Sequence, residues 1–419
     1  MFTHQSRLRH LLRPPHYFDD ELFARERERL YLPAWHLVGT ASETPREGDF
    51  RTLDLLGVPL IVRNAGGQVR AFRNVCPHRH AMLTSSPCGH AERLRCQYHG
   101  WEFQDDGRTG RIPEAHAFRP WDRENARLTP VRLEACGDLL FATLDELAPP
   151  LEEWLHPFYE ETADAFDPSV WRMRKAWDYA CESNWKVPAE NTLESYHVTS
   201  LHPKWFGQTL PREDHTTHRL EDRFTALDFV APPESAIEAR QARLCEWLGG
   251  QPTSAYRHRH IHPNTVLCLS DTLNYALAYH PLSPTRTEVR VRLFAFRGTR
   301  RGPLAAAAAE VAWQIGRRAT VMVHKEDLAI YADQQRGLEA AVGPGVIGAR
   351  EERIHYFQRY VLDRLGLPEP PDPAADADSS GAGLSDDVAG EEAAGQINSS
   401  NTAATCSSPA RSRKLERRP

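Results

Sequence analysis

Two closely spaced Cys–His pairs stand in the stretch VCPHRHAMLTSSPCGHAERLRCQYHGW (75–101). Cys76 and His78 form the first pair, Cys96 and His99 the second. Thiolates beside imidazoles fit zinc or an iron–sulfur cluster. Structural zinc usually draws two ligands from a Cys-x-x-Cys knuckle and two from a second knuckle or a helical pair of histidines. Here each loop supplies one Cys and one His, and Cys-x-His is a spacing that zinc fingers rarely use. A [2Fe–2S] centre with two thiolates on one iron and two imidazoles on the other needs what the two loops offer. Cys88 and His90, between the loops, are spare ligands that leave a mispaired zinc site as the rival arrangement. His80 and His90 are expected to be ordinary loop residues.

A second group follows in AENTLESYHVTSLHP (189–203). On a helix, Glu194 and His197 lie one turn apart on one face. His202 would be rotated away from them, but Pro203 disfavours helical geometry at the residue before it, so the chain can bend and turn the imidazole inward. Two histidines and one carboxylate with open positions make the facial triad of non-haem Fe(II) oxygenases. From the residues alone, Glu194 is the carboxylate nearest in sequence.

The elements that must position these groups are readable from periodicity. DDELFARERERLYL (19–32) predicts a surface helix. From Trp35 to Leu147 the texture is that of short strands, with AGGQ as a turn, giving a small all-β domain around the Cys/His loops. Residues 171–186 read as a strand leading into a helix over 187–203. Strands return at 224–230, 264–270, 273–282 and 287–296, and YRHRHIHP (256–263) reads as another entering the same sheet. Two helices, 303–338 and 346–365, close the ordered part. From residue 368 the chain is rich in Pro, Ala, Ser, Gly and acids, and is expected to be a disordered tail containing Cys406.

The 419 residues are 41% hydrophobic, enough for a large core and two domains. A net charge of −6 with no basic face argues against nucleic acid. No apolar run approaches the roughly 20 residues of a membrane span, and the basic N-terminus lacks an apolar signal core. Eight irregularly spaced Cys do not form a disulfide framework. A cytoplasmic protein with reduced thiols is expected.

CPHRHAML…CQYHGWEFQDDGR resembles the Rieske signature C-x-H-x17-C-x-x-H of ring-hydroxylating oxygenase α subunits, and HGW and DGR resemble that family too. His80 stands where the family usually has Gly, and Gln97 where it commonly has Pro. The resemblance spans about residues 20–365 and implies an α+β fold. An antiparallel β Rieske [2Fe–2S] domain (35–147) would be inserted in a helix-grip catalytic domain, a curved antiparallel sheet plus a long helix (1–34 and 148–367), with the tail at 368–419. It implies a cluster on Cys76, His78, Cys96 and His99, and a mononuclear Fe(II) held by His197 and His202. Glu194 would then be a bridge rather than a ligand, joining the ligand histidine to a cluster histidine of the neighbouring subunit, with Asn191 beside it in the catalytic motif. HKEDLAIYADQQRGLEA (324–340) resembles the family helix that carries the third ligand and points to Asp327, leaving Glu326 and Asp333 as solvated helix charges.

Electrons from NAD(P)H would arrive through a reductase, with or without a ferredoxin. The chain would form a homotrimer and insert oxygen from O2 into a small organic substrate. The Glu bridge and the short Asn191–His197 spacing resemble oxygenases that hydroxylate or demethylate quaternary amines, such as carnitine and glycine-betaine monooxygenases. The alternative is an aromatic-ring cis-dihydroxylating dioxygenase. Trp205, Phe206, Tyr275 and Tyr279 are candidates for an aromatic pocket, or for plain core packing. Glu153/His156, Glu194/His197 and Glu352/His355 have the spacing of a di-iron carboxylate bundle, which the strand-rich middle fits poorly. An electron carrier using only the Rieske domain would not need His197, His202 and Asp327.

Overall fold

Alternating apolar residues after Trp35 fold into short antiparallel strands. The computed structural model describes residues 2–122, 126–206, 213–232 and 235–371, so the expected tail beyond Pro371, with Cys406, lies outside the described residues. The strands are β1 (His36–Thr40), β2 (Asp49–Leu55), β3 (Val58–Ala65), β4 (Gln68–Arg73), β5 (Cys88–His90), β6 (Leu94–Arg95), β7 (Glu102–Phe103), β8 (Pro130–Cys136) and β9 (Leu139–Thr143). Seven of them form one sheet in the order β1-β9-β8-β4-β3-β2-β5, while β6 and β7 form a separate pair. Ala65 pairs with Gln68 across a Gly66–Gly67 turn in which both residues have positive φ, the geometry that two-residue hairpins favour.

The second sheet contains β10 (Trp171–Cys181), β11 (Thr216–Leu220), β12 (Phe224–Val230), β13 (Ala255–Ile261), β14 (Thr265–Leu269), β15 (Leu273–Ser283) and β16 (Arg286–Phe296). Its order is β10-β16-β15-β14-β13-β12-β11, and each neighbouring pair is antiparallel. The helices are α1 (Asp20–Glu26), α2 (Leu151–Leu155), α3 (Tyr159–Ala165), α4 (Lys186–Asn191), α5 (Val198–Leu201), α6 (Pro203–Phe206), α7 (Ala236–Trp247), α8 (Pro303–Ala340) and α9 (Glu352–Leu365). The 38-residue α8 lies against β10, β15 and β16, burying Trp313, Asp327, Tyr331 and Gln335 at helical spacing. This is the expected α+β arrangement of an antiparallel sheet holding a long helix. One apolar core runs from Leu60 and Val62 in the first sheet to Val266 and Val291 in the second.

The first helix joins the catalytic half through buried polar contacts. Asp19 caps α1 by accepting from the Leu22 N–H at 2.9 Å, and a π-turn over Arg27–Tyr31 continues it. Glu26 takes Lys186 Nζ at 2.5 Å and the Trp185 indole N–H at 2.7 Å, all three side chains being buried. That fixes the start of α4, the helix leading to the second His group.

Several expectations need correction. The helix expected over 187–203 is broken: α4 ends at Asn191, a turn follows, and α5 starts only at Val198. The helix expected from 346 begins at Glu352, because Val346–Ile347 pairs with Leu8–Arg9 as a small sheet. The strand expected over 171–186 stops at Cys181. β11 and α7 were not anticipated. Among the described residues all seven cysteines are free, and no helix is long and apolar enough to cross a membrane.

Candidate metal centres and the substrate cavity

The two Cys/His loops share one backbone pattern. Cys76 N–H donates to Ala81 O and His80 N–H to Cys76 O, at 2.8 and 3.0 Å. Cys96 N–H donates to Trp101 O and Gly100 N–H to Cys96 O, again at 2.8 and 3.0 Å. His80 and Gly100 therefore occupy equivalent positions, and both are left-handed, with φ of 57° and 70°. A side chain there costs about 1–2 kcal/mol, which glycine avoids. Since the His80 side chain is exposed, His80→Gly is expected to be neutral or to stabilise by at most about 1 kcal/mol, the gain being trimmed by the freer unfolded chain. Denaturant unfolding of the two proteins checks it. At Gln97 the other departure is also accommodated: its N–H donates to Leu83 O at 3.1 Å, a bond proline lacks.

Both thiols are buried, and burial pushes the Cys76 thiol up to about 11, with Cys96 hydrogen-bonded beside it. The rings of His78 and His99 are 4.7 Å apart, and His78 stacks on Trp101 at 4.8 Å. Burial holds His78 below its ordinary pKa, and its Nδ1 is buried without a hydrogen-bond partner. Two sequestered thiols and an orphaned ring nitrogen are a donor set that fits a [2Fe–2S] cluster better than apo side chains at rest. Cys88 and His90 are exposed on β5, and His90 Nδ1 lies 3.0 Å from Asp49 Oδ1.

The second centre gathers His197, His202 and Asp327, with one ligand atom from each lying within 4.8 Å of the others. Asp327 Oδ1 is 3.0 Å from His202 Nε2 and 3.9 Å from His197 Nε2. His197 sits in the turn after α4, and Glu194 makes that turn. One Glu194 oxygen accepts from the Tyr196 and His197 N–H groups while the other takes His197 Nδ1, so the carboxylate closes the turn before α5 and orients the ring together. Glu194 and His197 are thus neighbours through a capped turn, not through helical stacking. His202 closes α5 with φ −119°, ψ 39°, the bend expected before Pro203.

Glu326 departs from the expected solvated charge. Its carboxylate takes His202 Nδ1 at 2.7 Å and the Trp205 indole N–H at 3.4 Å, and its side chain is 26% exposed. Asp333 is exposed, as expected, and pairs only loosely with Arg336 at 3.7 Å. Asn191, at the end of α4, donates from Nδ2 to the Tyr331 hydroxyl at 3.3 Å rather than to the histidines.

Both imidazoles therefore have Nδ1 on a glutamate and Nε2 toward Asp327. A neutral ring that donates from Nδ1 has a bare lone pair at Nε2, which would face a carboxylate oxygen. Such a pairing needs a proton or a metal cation in between. Burial opposes charging His202, but Asp327 and Glu326 outweigh it and raise its pKa. Two oriented Nε2 lone pairs and one carboxylate fit Fe(II), with glutamates holding the outer nitrogens. Glu326→Ala is expected to weaken iron binding roughly 10- to 100-fold, measured by anaerobic titration, while Asp333→Ala leaves it unchanged.

Glu194, His197, His202 and Asp327 line a cavity of about 440 Å³. Phe206, Tyr275 and Tyr279 line it too, whereas Trp205 holds Glu326 instead. Sequence reasoning missed His258 and Arg353, which also line it. The signal for Arg353 was present: on α9 it shares a face with Phe357 and Tyr360, where an apolar residue is expected. His260 and His262 are buried in and just after β13 against Phe357, and belong to the core.

Comparison with known proteins agrees with this geometry. Residues 34–125 match the Rieske [2Fe–2S] domain, and residues 168–367 match the ring-hydroxylating alpha subunit catalytic domain. The chain is 30% identical over 291 residues to the 2-aminobenzenesulfonate 2,3-dioxygenase subunit alpha of Alcaligenes sp., covering 66% of this chain and 72% of that one. The chain belongs to the ring-hydroxylating oxygenase α-subunit family. It is also 31% identical over 228 residues to the glycine betaine monooxygenase oxygenase subunit of Pseudomonas aeruginosa, covering 54% of this chain. The matched part spans about half of that relative's length, 52%. The quaternary ammonium Rieske monooxygenase CntA has the same fold, with a TM-score of 0.70 at 21% identity, over 84% of this chain and 95% of that one.

Proposed function

We propose that this family member is the oxygenase component of a Rieske non-haem iron system. It would use NAD(P)H-derived electrons and O2 to hydroxylate or oxidatively demethylate a small organic substrate, with quaternary amines as the first class to test. The observation that carries the reading is the convergence of His197 Nε2, His202 Nε2 and Asp327 Oδ1 on the wall of a substrate-sized cavity. Cys76, His78, Cys96 and His99 would hold the cluster, within a Rieske domain over 35–147, and residues 1–34 and 148–367 would form the catalytic domain. Bound there, the cluster would supply one-electron delivery and the Fe(II) would supply reductive activation of O2.

The chain's own residues do the rest. Glu194 and Glu326 hold the Nδ1 protons of the two histidines and keep both Nε2 atoms aimed at one point. The aromatic wall at Phe206, Tyr275 and Tyr279 restricts water and offers π-faces to an onium group. Glu194 would also meet a cluster imidazole of a neighbouring subunit, which requires a homo-oligomer, read as a trimer. A reductase, with or without a ferredoxin, would be the electron donor, and the cytoplasm the compartment. The glycine betaine and CntA relatives favour quaternary-amine chemistry over ring dihydroxylation, as does the Glu bridge.

The test supplies the iron-loaded protein with NADH, a partner reductase and ¹⁸O2 over a panel of quaternary amines and aromatic acids. Label in an organic product is expected. A reducible cluster that yields no labelled product with any substrate, and consumes no O2, would contradict it.

A further inference from the structure

Among the described residues, five arginines are almost wholly buried: Arg63, Arg259, Arg290, Arg292 and Arg353. Four of them meet carboxylates: Arg63 with Asp105, Arg259 with Glu161 and Asp228, Arg290 with Glu288, and Arg292 with Glu43 and Asp178. Arg353, 1% exposed, has none among the described residues. Its Nε donates to Thr225 Oγ1 at 3.3 Å, and its Nη2 to Thr225 O at 3.3 Å and to His258 Nδ1 at 2.7 Å. A guanidinium carries five N–H donors, so both Nη1 hydrogens are left without a protein acceptor among the described residues. Asp228, an acid whose charge it feels, is already bound by Arg259 at 2.7 Å.

A buried cation without a counter-ion is costly unless something else supplies the charge. Burial, the largest cause, pulls Arg353 down to about 9. The neighbouring histidine adds an independent observation. Arginine only donates, so His258 Nδ1 must accept, and a neutral ring then carries its proton on Nε2. Burial, and then Arg353, keep His258 well below its ordinary pKa, so the ring is neutral. Its Nε2 is buried with no partner among the described residues. Arg353 and His258 both line the cavity shared by His197, His202 and Asp327.

Resting on the oxygenase reading above, we propose that the substrate carries an anionic group, a carboxylate or sulfonate, and that Arg353 binds it with the His258 Nε2–H as a second donor. Arg353 Nη1 and the His258 Nε2–H can each donate to one oxygen of such an acid, and the ion pair forms away from water, where it is strongest. The anionic end would then set which part of the molecule reaches the histidine–aspartate group. Arg353 is a binding residue and takes no part in the oxidation.

Equilibrium dialysis of the iron- and cluster-loaded protein under anaerobic conditions tests this without turnover. The probes are matched pairs: benzoate and benzamide, benzenesulfonate and benzenesulfonamide, and a trimethylammonio carboxylate and its primary amide. In at least one pair the acid is expected to bind about tenfold or more tightly than its neutral partner. Arg353→Gln should abolish that preference while binding the neutral partner as before, which also shows that the variant is folded. His258→Phe should weaken the acid by a smaller factor. If no acid binds better than its neutral partner, or if Arg353→Gln keeps the preference, the assignment is overturned. Should Arg353→Gln fail to fold, Arg353→Met, which also removes the charge, decides: an unchanged preference for the acid overturns the assignment, and a lost one supports it. Dialysis needs no oxidation, so an inactive protein that still selects acids would sink the oxygenase reading and leave this one standing.

Discussion

Asp327→Ala is expected to yield a folded protein with an unaltered cluster spectrum and no mononuclear iron. Among the described residues, Asp327 is the only carboxylate placed against Nε2 of both histidines, at 3.0 and 3.9 Å. Its removal leaves two neutral imidazoles, a set with no charge to offset the dication. The loss should exceed the roughly 10- to 100-fold that follows removal of an outer hydrogen bond. The Cys/His loops belong to other elements, so iron should fall by about one per chain, with sulfide unchanged. Metal analysis and EPR on the same sample check it. Iron retained at full occupancy would move the third ligand to another carboxylate.

The second large effect is at Glu194. From the sequence alone, the bridge role predicts that Glu194→Ala keeps both metals and loses only turnover. The geometry revises this, since the same carboxylate caps the Tyr196–His197 turn and seats His197 Nδ1. Alanine is therefore expected to lower iron affinity roughly 10- to 100-fold and to abolish turnover even when iron is restored by excess. Glu194→Gln keeps an acceptor for the turn, so it should hold iron better, yet it lacks the charge for a partner imidazole and should remain slow. Anaerobic iron titration separates the first effect, and turnover at saturating iron the second. Near-normal turnover in either variant at full iron occupancy would remove Glu194 from the electron route.

The candidate ligand types were legible because metal chemistry restricts them to a few residues at telling spacings. Cys76, His78, Cys96 and His99 could be named from one short stretch, and the structure folds that stretch into two matching loops. Strands were legible where apolar alternation was regular, as in β2 to β4, and α8 through its long helical period. What was hidden depends on side chains acting on their own backbone or across the fold. The break after Asn191 comes from the Glu194 carboxylate taking two main-chain N–H groups, which propensity does not register. Glu326 looked like any helix acid until His202, far away in sequence, came to lie against it. Arg353 carried a partial signal, a charge on the apolar face of α9, but its partners Thr225 and His258 come from strands far away in sequence. At His80 the departure from the family's usual glycine was visible in the sequence, but that the position is left-handed was seen only in the fold.

The most direct test of the whole account is EPR of anaerobically purified, reduced protein, with iron, zinc and sulfide counted in the same sample. The account requires a rhombic Rieske-type signal, inorganic sulfide, and about one iron beyond the cluster pair. A silent, zinc-rich sample without sulfide, unchanged by iron–sulfur reconstitution, would make the Cys/His loops a zinc knuckle and contradict the proposed chemistry.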